Sequence, residues 1–200
     1  MQEPTHILAG VIIQRSFESV RPRALALGLT AVCAFLSHGL LDRLANATYH
    51  PPNPDFNNPF WVSFHAGVVI LTVVFLFVWW RRYKWGIFFA ALPDLDWVFI
   101  HGREILIKLA HDHPSLQTIT NHLPYYHKPY MHNLLHVVFN VWPPFKYLKV
   151  PTHRFKPWAC LWEVALVLAM LAVIYFLTQN RPVPPAAIPA PAETSSPPLS

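Results

Sequence analysis

Charge is what this sequence has least of. Only 12% of its 200 residues are Asp, Glu, Lys or Arg, about half the roughly 25% of an ordinary soluble domain. With 54% hydrophobic residues and a mean hydropathy of +0.30, the chain is solvated largely by lipid. Cysteine is scarce too. Cys33 and Cys160 each sit inside an apolar run, which excludes a disulfide scaffold. The N-terminus lacks a basic start and an A-x-A cleavage site, so it does not read as a signal peptide. Aromatics are plentiful: 14 Phe, 8 Trp and 7 Tyr are more apolar surface than a disordered chain leaves in water.

Three long uncharged or nearly uncharged runs follow. They are Ala24 to Leu41, Phe60 to Trp80, and Trp158 to Asn180, the last broken only by Glu163. Each approaches the about 20 residues that span a bilayer as a helix. Trp85 to His101 is a fourth candidate, interrupted by Asp94 and Asp96. Thr5 to Val20 and Tyr130 to Val141 are shorter and more polar, and read as half-buried or re-entrant helices packed against the others. The expected fold is all-α: a membrane-embedded bundle of about four to six helices over residues 1–181. A Pro-rich disordered tail over 182–200 completes it.

Basic residues set the expected orientation. Arg15, Arg21 and Arg23 form one cluster, Arg81, Arg82 and Lys84 a second, and Lys146, Lys149, Arg154 and Lys156 a third. The positive-inside rule places all three in the cytoplasm, with Glu163 snorkelling to Lys156 there. His38, Asp42, Asp94, Asp96, His132 and His136 then fall in one layer near the extracytoplasmic face, joined by His6 if Thr5 to Val20 crosses. The net charge of +5 is divided among short connections. It is therefore topological, and no nucleic-acid surface is expected.

Spacing gives these polar residues chemistry. His38 and Asp42 are four apart, as are His132 and His136, so each pair shares a helix face and can reach one metal. Asp94 and Asp96 follow Pro93 directly, and two such carboxylates repel unless protonated or bound to a cation. Imidazole with carboxylate suits zinc, manganese or iron. The seven candidates (His6, His38, Asp42, Asp94, Asp96, His132 and His136) would serve a two-metal site better than four-coordinate zinc. Plainer roles exist. His65 suits a helix–helix hydrogen bond, Asp42 a pairing with Arg43, and His50, His101, His111, His113 and His122 a solvated loop. Ionisable groups at the depth of Asp94 and Asp96 are expensive, and function is the default expectation for them.

Four motifs, THILAG, SHGLLD, PDLDW and HKPYMHNLL, together resemble the membrane-bound metal-dependent hydrolases, also described as LexA-binding, inner-membrane-associated hydrolases. That family shows an early helix-borne His, a P-D-x-D, an H-R-G-x-T-H-S and an S-H-x-x-x-D. His6 matches the first, Asp94 and Asp96 the second, His127 and His132 the spacing of the third, and His38 and Asp42 the fourth. Lys128, Pro129 and Met131 replace the usual Arg, Gly and Thr, and SHGLLD precedes the third motif where it normally follows it.

The resemblance implies metal-assisted hydrolysis; with the spans and the His/Asp layer, the expectation is a multi-pass inner-membrane hydrolase with a divalent metal, zinc first, acting on an ester or phosphoester near the extracytoplasmic bilayer surface. Membrane lipid would be its surroundings and a lipid-derived molecule its substrate. Water activated by the cation would attack, Asp94 and His127 would serve catalysis with His127 as proton shuttle, and Lys128 and Arg103 would hold a lipid phosphate. The alternative is a transporter or proton/cation relay built on the same His/Asp cluster. The sequence shows no inverted repeat of the kind many transporters carry.

Overall fold

The computed structural model describes residues 2–51, 57–95, 138–139 and 143–179. Every regular element among them is helical: α1 (Glu3–Ser16), α2 (Arg23–Leu44), α3 (Pro59–Ala91) and α4 (Cys160–Gln179), with short 3₁₀ turns and a single helical turn at Pro143–Lys146. Asp96, Arg103, His127, Lys128, His132 and His136 lie outside the described residues, as does the 182–200 tail.

Three of these helices, with their flanking turns, are long and apolar enough to cross a membrane: Arg23–Ala47, Pro59–Asp94 and Pro157–Gln179. Their outward faces carry large apolar side chains, with Phe77 89% and Leu161 65% exposed. Such surface is stable against lipid and not against water. At 14 residues, α1 is only about 21 Å long and cannot span. It is nevertheless the most enclosed element, with Pro4 through Val11 all buried. Ile7, Leu8 and Val11 pack with Phe75, Tyr83 and Ile87 of α3 and Ile174 of α4. The unbroken apolar run Ile7–Ile13 leaves the middle of α1 without a polar face, and here the longer helices pack around it.

The 33 residues of α3 do not form one rod. Asn58 caps the start, its Oδ1 accepting from the Phe60 and Trp61 amides. At Tyr83 (φ −117°, ψ 27°) the helical path breaks. A straight helix of this length would separate its ends by about 48 Å. Instead both ends lie near the C-terminal end of α2. Phe60 and Phe64 pack on Tyr49, and Asp94 lies 3.5 Å from His38. The segment after Tyr83 is thus a return arm running back along α1. Gln14 ties the break together, donating to the Arg82 carbonyl and accepting from the Gly86 amide.

The return arm can approach because glycine faces glycine. A Cβ on Gly10 would meet the backbone of Gly86 and Ile87, and one on Gly86 would meet the Gly10 carbonyl. Small residues at such a crossing let two helix backbones touch. Gly10→Val should therefore destabilise the bundle by about 1–3 kcal/mol. Gly28→Ala, whose Cβ would meet nothing within 4 Å, should be neutral or stabilising by up to about 1 kcal/mol. Thermal unfolding in detergent distinguishes the two, and equal midpoints would refute the close-approach role.

The expected sidedness needs correction. Glu18 pairs with Arg15 at 2.6 Å and Arg82 at 3.5 Å, so the first two basic clusters do share one end of the bundle. The third does not join them. The His153 amide donates to the Asn46 carbonyl at 2.7 Å, and the His50 amide to Arg154 at 2.9 Å. These contacts set Lys146 to Lys156 at the opposite end, beyond the C-terminus of α2. From there α4 runs parallel to α1 until Arg15 donates to the Leu177 carbonyl at 2.8 Å. Glu163 accordingly does not snorkel to a shared basic surface. It is 5% exposed and accepts from the Gln2 amide at 3.2 Å, while Lys156 lies over the Trp158 ring.

Candidate metal centre

The last two turns of α2, the first two of α1 and the end of the return arm meet at one point. On α2, His38 and Asp42 project from one face as their spacing dictates, with His38 Nε2 3.1 Å from Asp42 Oδ2. From α1, His6 stacks its ring on His38 with centroids 4.1 Å apart, and its Nε2 lies 3.5 Å from Asp42 Oδ1. The 3₁₀ turn Leu92–Asp94 brings Asp94 Oδ1 to 3.5 Å from His38 Nε2. One ligand atom from each of His6, His38 and Asp42 lies within 4.8 Å of the others.

Hydrogen bonding fixes the chemistry of His38. Its Nδ1 lies 2.7 Å from the Ala90 carbonyl oxygen, which can only accept. Nδ1 therefore carries the proton, and in the neutral ring Nε2 presents a lone pair toward Asp42 and Asp94. A lone pair and two carboxylates facing one another repel unless a cation or a proton lies between them. A ring held by a backbone carbonyl on its far nitrogen is the usual outer support of a metal-binding histidine. His38 is 0% exposed and packs its other surroundings against Phe139, which also fills the space beside Gly39.

His6 poses a sharper question. It is 1% exposed, and neither ring nitrogen makes a hydrogen bond among the described residues. An unsatisfied buried polar group costs about 1–3 kcal/mol, so an orphaned imidazole facing a carboxylate calls for a partner. The donor set fits a divalent cation. Ligands held at about 2.0–2.2 Å in a tetrahedron lie about 3.3–3.6 Å from one another. The imidazoles lie 3.5 and 3.1 Å from different oxygens of Asp42, and one ligand atom from each of the three residues lies within 4.8 Å of the others, a spread that a bound cation would have to draw in. The two carboxylates are also the accessible part of the cluster, Asp42 at 33% and Asp94 at 36%, while both imidazoles are sealed. A cation held here would be reached from the carboxylate side.

Sequence reasoning missed one member of this group. Glu3 stands three residues before His6, hence on the same face of α1. Its carboxyl lies beside Asp94. Burial, the neighbouring Asp94 and Asp42 push it up to about 8. The i,i+3 spacing from His6 was the available signal, masked because an acid in a first turn is ordinary helix chemistry. Of the expected site residues, His6, His38, Asp42 and Asp94 converge, and the others fall outside the described residues. His65 makes no interhelical hydrogen bond among the described residues: its Nδ1 lies 2.8 Å from the Trp61 carbonyl of its own helix, and its ring stacks on Trp61.

Comparison with protein-family models, with curated proteins and with solved structures found no match to this chain.

Proposed function

We propose that this chain is a multi-pass inner-membrane, metal-dependent hydrolase of an ester or phosphoester group presented at the bilayer surface. The observation that carries it is the convergence of His6, His38 and Asp42, with the buried His6 ring left without a hydrogen bond. The membrane-embedded part would comprise α1, α2, the arm of α3 before Tyr83, its return arm and α4, five segments in all. His6, His38 and Asp42 would hold the cation, zinc first and manganese or iron next, with Asp94 beside them. Bound there, a divalent cation supplies Lewis acidity toward an ester or phosphoryl oxygen.

The chain's own residues divide the remaining work. His38 is oriented by the Ala90 carbonyl, and His6 is oriented by its stack on His38. Asp94, at the accessible edge, and the neighbouring, more buried Glu3 can hold and pass a proton. Sealed imidazoles and open carboxylates keep water on one side only. The motif resemblance to the membrane-bound metal-dependent hydrolases supports the same reading, as does the need of a lipid-like substrate for a site among apolar helices.

Purified protein in mixed micelles should contain close to one equivalent or more of transition metal. It should cleave a lipid ester or phosphodiester, with loss of activity on chelation and recovery on adding zinc. Asp42→Ala/Asp94→Ala should contain little metal and be inactive. Equal, near-zero metal in both proteins would overturn the proposal. Zinc or proton flux in proteoliposomes without hydrolysis would replace it with a cation relay.

A further inference from the structure

The first turn of α1 has an unusual deficit. A helix start exposes amides that lack intrahelical acceptors, and a Ser, Thr, Asp or Asn side chain normally serves them. The residue before α1 is Gln2, and it makes no capping hydrogen bond from its own side chain. Yet Gln2 is 7% exposed, Thr5 0% and His6 1%, so water cannot serve in its place.

The acceptor comes from the far end of the sequence. Glu163, on the first turn of α4, receives the Gln2 amide on Oε1 at 3.2 Å and lies 3.3 Å from the Thr5 hydroxyl on the same oxygen. Thr5 also donates to the Gln2 carbonyl at 2.7 Å, closing the turn. Thr48, whose hydroxyl donates to the Ala45 carbonyl, stands next to Glu163 in the segment just beyond the helix that carries His38 and Asp42. One buried carboxylate thus lies between the two elements whose ends carry the cluster, and it sits at the positive end of the α1 dipole.

We propose that Glu163 is the positioning residue of this centre: it caps α1 from another helix and thereby holds His6 against His38 and Asp42. The importance of the centre itself rests on the reading above, but the placement of His6 by Glu163 is independent of any metal. A residue that only filled space in α4 would leave His6 where it is.

The test uses full-length protein in detergent, without added metal, and follows carbethoxylation of His6 by diethyl pyrocarbonate through mass spectrometry. Wild-type His6 should react slowly. Glu163→Leu, which keeps bulk and removes the acceptor, should react roughly tenfold faster, because the uncapped first turn opens more often. Glu163→Gln keeps an acceptor oxygen and should restore protection. Leu171→Ala, a packing change elsewhere on α4, should lower stability and leave His6 protected. Unchanged His6 reactivity in Glu163→Leu, or equal exposure in Leu171→Ala at matched stability, would overturn the proposal. Zinc titration of the same proteins separates the two ideas. If Glu163→Leu exposes His6 but wild type binds no zinc, the positioning role stands and the hydrolase reading fails.

Discussion

Zinc at a hundred times its dissociation constant should raise the unfolding free energy of the wild-type chain by about 2.7 kcal/mol. Asp42→Ala should remove nearly all of that gain. Asp42 is the group that both imidazoles face, at 3.5 Å from His6 and 3.1 Å from His38. Losing an outer-shell support of a metal site costs about 10–100-fold in affinity, and a ligand shared between two imidazoles costs at least the upper figure. At the same zinc concentration the gain then falls to about 0.4 kcal/mol. Unfolding in detergent, with zinc or with chelator, measures both values. An Asp42→Ala protein stabilised by zinc as strongly as wild type would show that the metal binds elsewhere.

Replacing His6 by phenylalanine should act with opposite signs in the two states. Without metal, His6 buries Nδ1 with no hydrogen bond and Nε2 with only a 3.5 Å approach to Asp42, a cost of up to about 1–3 kcal/mol that phenylalanine does not carry. The new ring is of similar size and can keep the stack on His38. The metal-free variant should therefore be more stable than wild type by about that amount. With zinc the order should reverse or vanish, because the gain from the metal is lost with the ligand. A purely structural histidine predicts something else: a variant that is no more stable without zinc and just as responsive to it. Measuring His6→Phe with and without chelator separates the two outcomes.

Much of this centre could be read from the sequence because its spacings are local. His38 and Asp42 needed only the helical repeat, and Asp94 needed only a proline before it and an apolar run around it. The all-helical class followed from the long uncharged runs, three of which form helices long and apolar enough to cross a membrane. What failed was long-range. Glu163 looked like a surface acid because Lys156 was its nearest charged neighbour along the chain, whereas its partners Gln2 and Thr5 lie about 160 residues away. The cluster from Lys146 to Lys156 was placed with the others because sidedness alternates with each crossing. Apolar content gives the number of candidate segments and not which of them turn back. The return at Tyr83 is such a case. Arg81, Arg82 and Lys84 did mark its position, but a basic connection reads the same whether the next segment crosses or folds against α1.

The order in which these contacts become available carries a consequence for how the protein is made. The segment bearing His6 comes first in the chain, and two of its fastenings, Glu163 at the start and the Leu177 carbonyl at the end, belong to the last described helix. During synthesis α1 is too short to lodge across a bilayer alone and too apolar to rest in water, so it must wait for a shelter that does not yet exist. Contacts separated so widely in sequence form late. A chain stopped before α4 would carry His6, His38, Asp42 and Asp94 without the Glu163 carboxylate that receives the Gln2 amide at the start of α1. The fully fastened start of α1 would therefore exist only in a chain synthesised through α4.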